Sequence, residues 1–192
     1  MAKELVQYFI FLNMDNLKQE IIIRKKKITN PIALGFVNAF LMHREINRCY
    51  YLRVPEDKLD VHLVDNERVK SDSPRKNLIH QIDVTRDYIN GILTGELKHK
   101  HKEYLDLLNP EEFNKEKLIL KFDESTLLLL KTLPHQDIKK IKVRVKWSKF
   151  SVPALQMIWG LNNHEILHTG WNLAYMDFLG IERFPQLKAM WG

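Results

Sequence analysis

Residues 163–175 read NHEILHTGWNLAY. Two histidines, His164 and His168, stand four residues apart in this stretch. On an α-helix that spacing puts both imidazoles on one face about one turn apart, so both can reach a single ion. With no third ligand, the same pair would be two ordinary histidines on a helix surface. The stretch lies inside a long apolar segment. Ser151 with Pro153 predicts where its helix starts, and Gly180 predicts where it stops after Leu179. Leu155, Ile158, Leu161, Leu173 and Met176 supply its apolar face.

Three further helices are expected upstream. Asn30-Pro31 pairs a capping side chain with a proline at the first helical position. Ile32, Phe36, Phe40, Ile46 and Tyr50 then recur at near-helical spacing to about Arg53. Residues 55–72 read as a polar connection. Ser73-Pro74 repeats the start signal, and Leu78, Ile82, Thr85, Tyr88, Ile89 and Ile92 continue a second helix. Gly91 and Gly95 weaken its far end, each by up to about 1 kcal/mol against Ala, unless a neighbouring helix packs closely there. Asn109-Pro110-Glu111-Glu112 is a third cap signal, with acids at the positive helix end. The apolar run Leu127–Leu130 predicts a third helix from near Phe122 to just before Pro134.

One segment breaks the helical period. Ile141, Val143, Val145 and Trp147 alternate with bases, which predicts a short half-buried strand or an extended segment lying on the helices. Four main helices and one extended segment predict an all-α fold, an antiparallel four-helix bundle over residues 30–192. The tail 181–192 is expected to pack back on it. Residues 1–29 form an additional N-terminal element; LVQYFIFL at 5–12 is too short for a membrane span, which needs roughly 20 apolar residues.

The formal charge is +6, from 30 Lys and Arg against 24 Asp and Glu. The bases are scattered over Arg24–Lys27, Lys98–Lys102 and Lys139–Lys149, which reads as solvated surface rather than a nucleic-acid footprint. The single cysteine, Cys49, allows no internal disulfide, which fits a cytoplasmic protein. Its apolar setting predicts a buried, inert thiol. No signal peptide is read at the N-terminus, and a homodimer is compatible with the sequence.

His164-Glu165-Ile166-Leu167-His168 also matches the His-Glu-x-x-His pattern of zinc peptidases, with Glu165 as general base. No histidine follows His168, and only Glu182 remains as a later acidic ligand. The peptidase reading therefore lacks its third ligand and the rest of its domain. His99 and His101 in KHKHK read as surface residues. His43, His62 and His135 have no spaced partners and read as core or surface residues, and Trp147, Trp159 and Trp171 as packing.

A different likeness fits better. The order His164-x-x-x-His168-Thr169-Gly170, Tyr175, Leu179-Gly180, Pro185 resembles the last helix of the DinB family of metal-binding four-helix bundles. The segment 73–83, SPRKNLIHQID, resembles that family's second helix, in which a histidine supplies the remaining ligand. The resemblance covers about residues 30–192 and implies a DinB-like bundle with metal ligands His80, His164 and His168. Trp171 stands where members often carry Gln, which bears on contacts to substrate.

Three neutral imidazoles leave one exchangeable position, the composition of a catalytic rather than a structural site. They suit zinc, nickel, iron and copper alike. Asp83, one turn from His80, and Glu165 are candidates to orient the rings, and Tyr175 is a candidate pocket hydroxyl. The resemblance implies an enzyme that transfers a low-molecular-weight thiol, such as bacillithiol or mycothiol, to a small electrophile. The rival readings are a metal-dependent hydrolase of a small substrate and a non-catalytic metal-binding stress-response protein.

Overall fold

The computed structural model describes residues 16–98, 109, 112–135, 137–146 and 148–191. The chain is mostly helical. Residues 16–26 are helical, and four long helices follow: α1 (Pro31–Arg53), α2 (Pro74–Thr94), α3 (Lys115–Thr132) and α4 (Ala154–Leu179). A short α5 (Pro185–Trp191) ends the described chain. No helix among the described residues is long and apolar enough to cross a membrane.

The expected cap signals operate at α1 and α2. Asn30 Oδ1 accepts from the N–H groups of Ile32 and Ala33, with Pro31 opening the helix. Ser73 Oγ accepts from Lys76 N–H ahead of Pro74. α2 ends on Gly95 at φ 74°, a left-handed conformation that glycine adopts without strain. Gly91 is a close-packing position, because a Cβ there would stand 3.2 Å from Met157 Sδ of α4.

Two helix starts differ from expectation. α3 begins at Lys115, capped by Asn114, whose side chain accepts from Lys117 N–H. The Asn109 carbonyl instead closes a turn with Glu112 and Phe113. Leu118, Ile119 and Phe122 already bury one face, so the helix reaches seven residues further upstream than the leucine run indicates. α4 begins at Ala154 without a side-chain cap. Ser151 is not its cap, because Val152 and Pro153 are strand. The N–H groups of Ala154 and Leu155 are instead satisfied by the carbonyls of Ile141 and Ile138.

The extended segment is the centre of a small sheet. β1 (Glu96–Leu97) pairs in parallel with β2 (Lys142–Val145), and β3 (Val152–Pro153) pairs antiparallel on its other side. Val143 and Val145 are buried, while Lys142 and Arg144 face solvent, as the alternation predicts. Trp147, His99 and His101 lie outside the described residues.

Two apolar cores stack along the helices. The first joins Phe36, Val37 and Phe40 of α1 with Ile89 and Ile92 of α2, Leu129 and Leu130 of α3, and Ile158 and Leu161 of α4. Ile28 is buried in it and Ile21 packs against it, so the N-terminal stretch contributes to this core. The second joins Tyr50 and Tyr51, Leu78 and Ile82, Leu118 and Phe122, Tyr175 and Met176, and Phe184 and Leu187 from the tail. Order along each helix gives direction: α1 and α4 run from the first core to the second, α2 and α3 run the other way. α1 packs on α4 and α2 on α3, so these neighbours are parallel, not antiparallel as expected.

Candidate metal centre

His80 projects from α2, and His164 and His168 from α4, where these two helices meet. His164 Nε2 lies 3.0 Å from His80 Nε2 and 3.2 Å from His168 Nε2. The three rings meet edge to face or tilted, with centroids 4.5–5.4 Å apart. They form a three-residue group whose ligand atoms lie within 4.8 Å of one another.

The distances carry chemical information. Four imidazole-type donors at about 2.0–2.1 Å around a tetrahedral ion stand roughly 3.3–3.4 Å apart. The His164–His80 and His164–His168 spacings are close to that edge, and the His80–His168 pair lies within 4.8 Å. Hydrogen bonding accounts for them poorly, since one ring nitrogen holds either one hydrogen or one lone pair. His164 Nε2 faces two other ring nitrogens, and a shared cation would satisfy all three. His168 is buried, and burial followed by the neighbouring His164, His80 and Arg44 holds its pKa down at about 2. It is therefore neutral, the form that donates to a metal. His80 and His164 are half-buried, which leaves the group open on one side.

Beneath the histidines, a buried polar layer separates the two apolar cores. Arg44 Nη1 donates to Glu165 Oε1 at 2.6 Å. Its Nε donates to Thr126 Oγ1 and its Nη2 to Ser125 Oγ and the Phe122 carbonyl, while the guanidinium lies 3.4 Å from the Phe122 ring centre. Asn47 Nδ2 donates to Glu165 Oε2 and Gln81 Oε1, and its Oδ1 accepts from Thr169 and Asn172. Gln81 in turn donates to the Tyr51 hydroxyl. Gln81 follows His80, and Glu165 and Thr169 adjoin His164 and His168. The layer thus fixes the backbone of both ligand-bearing helices against α1 and α3.

The candidate supporting residues are placed as follows. Glu165 is fully buried; burial pushes its carboxyl upward while Arg44 and Asn47 oppose the shift. Both its oxygens are engaged by those two side chains, so it works as a tie to α1. Asp83 is buried on α2. The Tyr175 hydroxyl donates to the Asp72 carbonyl at 2.5 Å and accepts from Leu63 N–H at 3.0 Å, so it clamps the connection between α1 and α2 to α4. Trp171 is 36 % exposed and Leu167 69 % exposed, each three residues beyond a histidine. Cys49 is half-buried rather than fully enclosed, and burial together with Glu45 pushes its thiol pKa up, away from reactivity.

Sequence reasoning missed the polar layer, although a signal was present. Arg44, Asn47 and Arg48 sit at i, i+3 and i+4, on the face that the α1 apolar spacing assigns to the core. Asp123 and Thr126 do the same in α3. No family model and no curated protein matches this chain.

Proposed function

We propose that the chain is a DinB-like four-helix bundle whose His80, His164 and His168 hold one divalent transition metal at an open position. The convergence of three ring nitrogens, two pairs of them near tetrahedral spacing, is the observation that carries this reading. Bound there, such an ion supplies Lewis acidity and a site that stabilises a thiolate at neutral pH. The lead activity is transfer of a low-molecular-weight thiol of bacillithiol type to a small electrophile. Leu167 and Trp171, exposed on α4 three residues beyond His164 and His168, would supply an apolar flank suited to an electrophile with an apolar body. The polar layer keeps α2 and α4 in register, so the three rings are held converged before any ligand arrives.

Elemental analysis of the purified protein tests the centre. One divalent metal per chain is expected, with loss in His80→Ala and in His168→Ala. Unchanged stoichiometry in both variants ends the proposal. Metal-loaded protein is then assayed with a model electrophile, with and without added thiol. Turnover that requires thiol supports transfer, whereas equal turnover without it replaces transfer by hydrolysis.

A further inference from the structure

A second site lies across the helices from the histidines, where α1 and α3 meet under the N-terminal helical stretch. A cavity of about 280 Å³ opens there. Ile21, Ile22 and Leu41 form apolar walls, and Arg48 with Asp123 lies at its polar end. Lys18 and Glu45, themselves paired at 3.4 Å, also line it.

Arg48 is the informative residue. Its Nε donates to both oxygens of Asp123, each at 2.9 Å. Its Nη1 and Nη2 have no hydrogen-bond partner among the described residues, although the side chain is only 6 % exposed. Arg44, one turn earlier, is different: all three of its nitrogens are engaged. A guanidinium presents five N–H groups in a planar fork. Both nitrogens keep contact with solvent beside the cavity, and a planar two-oxygen acceptor matches the fork they present.

We propose that this cavity binds a small monocarboxylate with an apolar body, the carboxylate on Arg48 and the body against Ile21, Ile22 and Leu41. The cavity's mostly apolar wall suits the body of a medium-chain or aryl-alkyl acid. The site is separate from the histidine group and does not depend on metal.

Octanoate and 1-octanol share one apolar tail and differ in head group, so calorimetric titration of the full chain with each isolates the role of Arg48. Saturable one-to-one binding of octanoate is expected, at least about tenfold tighter than octanol. Arg48→Lys keeps the charge but loses the fork and is expected to weaken octanoate about tenfold while leaving octanol unchanged. Ile21→Trp fills the cavity without touching the polar end and is expected to abolish both. His168→Ala is expected to bind octanoate as the parent chain does, so failure of the metal centre leaves this result intact. Equal affinity for the two probes, octanoate binding that survives Ile21→Trp, or no saturable binding up to millimolar concentration would each overturn the proposal.

Discussion

Glu165→Leu strands the Arg44 guanidinium inside the protein, and the cost can be worked from the structure. The pair meets at 2.6 Å, with side-chain exposures of 3 % and 0 %. Breaking one partner of such a buried pair costs about 3–5 kcal/mol, because the remaining charge is neither hydrated nor neutralised. Asn47 Nδ2 also loses its carboxylate acceptor. For a domain of this size about 2–4 °C is lost per kcal/mol, so the midpoint should fall by roughly 6–20 °C. Arg44→Met should cost a similar amount. The double variant Arg44→Met/Glu165→Leu removes both charges and is expected to be more stable than the sum of the single losses by at least about 2 kcal/mol. Urea unfolding followed by far-ultraviolet circular dichroism, on metal-stripped protein, gives all three values. Single losses below about 1 kcal/mol, or strictly additive ones, would show that the polar layer is hydrated and does not tie the helices together.

Other expected outcomes follow from individual contacts. His168 has its pKa held at about 2 when folded, against about 6.5 when unfolded, so the unfolded chain binds the extra proton first. Its contribution to stability is complete above about pH 6.5 and is lost as pH falls toward 2, reaching about 2 kcal/mol at pH 5; a flat profile for metal-stripped protein between pH 7 and 5 would refute this. Tyr175→Phe leaves Leu63 N–H and the Asp72 carbonyl without the hydroxyl that joins them to α4, and should cost about 1–3 kcal/mol, with faster amide exchange at Leu63 as the specific readout. Gly91→Val drives a branched side chain into Met157 and Leu97 and should destabilise by about 1–3 kcal/mol; a neutral result would show that α2 and α4 are not in close contact there.

Much of this molecule is local and therefore legible in order along the chain. Asn30-Pro31 and Ser73-Pro74 start helices because a capping side chain and a fixed proline φ act within one turn. The alternation of 141–145 predicts a strand because side chains on extended backbone point to opposite sides. The spacing of His164 and His168 places two rings together from helical geometry alone. The approach of His80 belongs to tertiary structure, since 84 residues separate it from His164 and only the packing of α2 on α4 joins them.

What the sequence left open has a common physical cause. The α4 start could not be read from Ser151, because its cap is the backbone of Ile138 and Ile141, and a carbonyl carries no residue-specific signature. The parallel pairing of α1 with α4 and α2 with α3 is set by which apolar patches share a core, not by any one helix. Arg44, Asn47, Gln81 and Glu165 each look like an interruption of an apolar face or a surface polar residue when taken singly. Stacked at one level, they become mutually satisfied, and a buried polar group is tolerable only when its partners arrive from other helices. Local chemistry thus determined where the helices and two of the three histidines lie. Long-range satisfaction of buried charge and apolar surface decided which helices adjoin, how α2 and α4 are held, and where the third imidazole ends up.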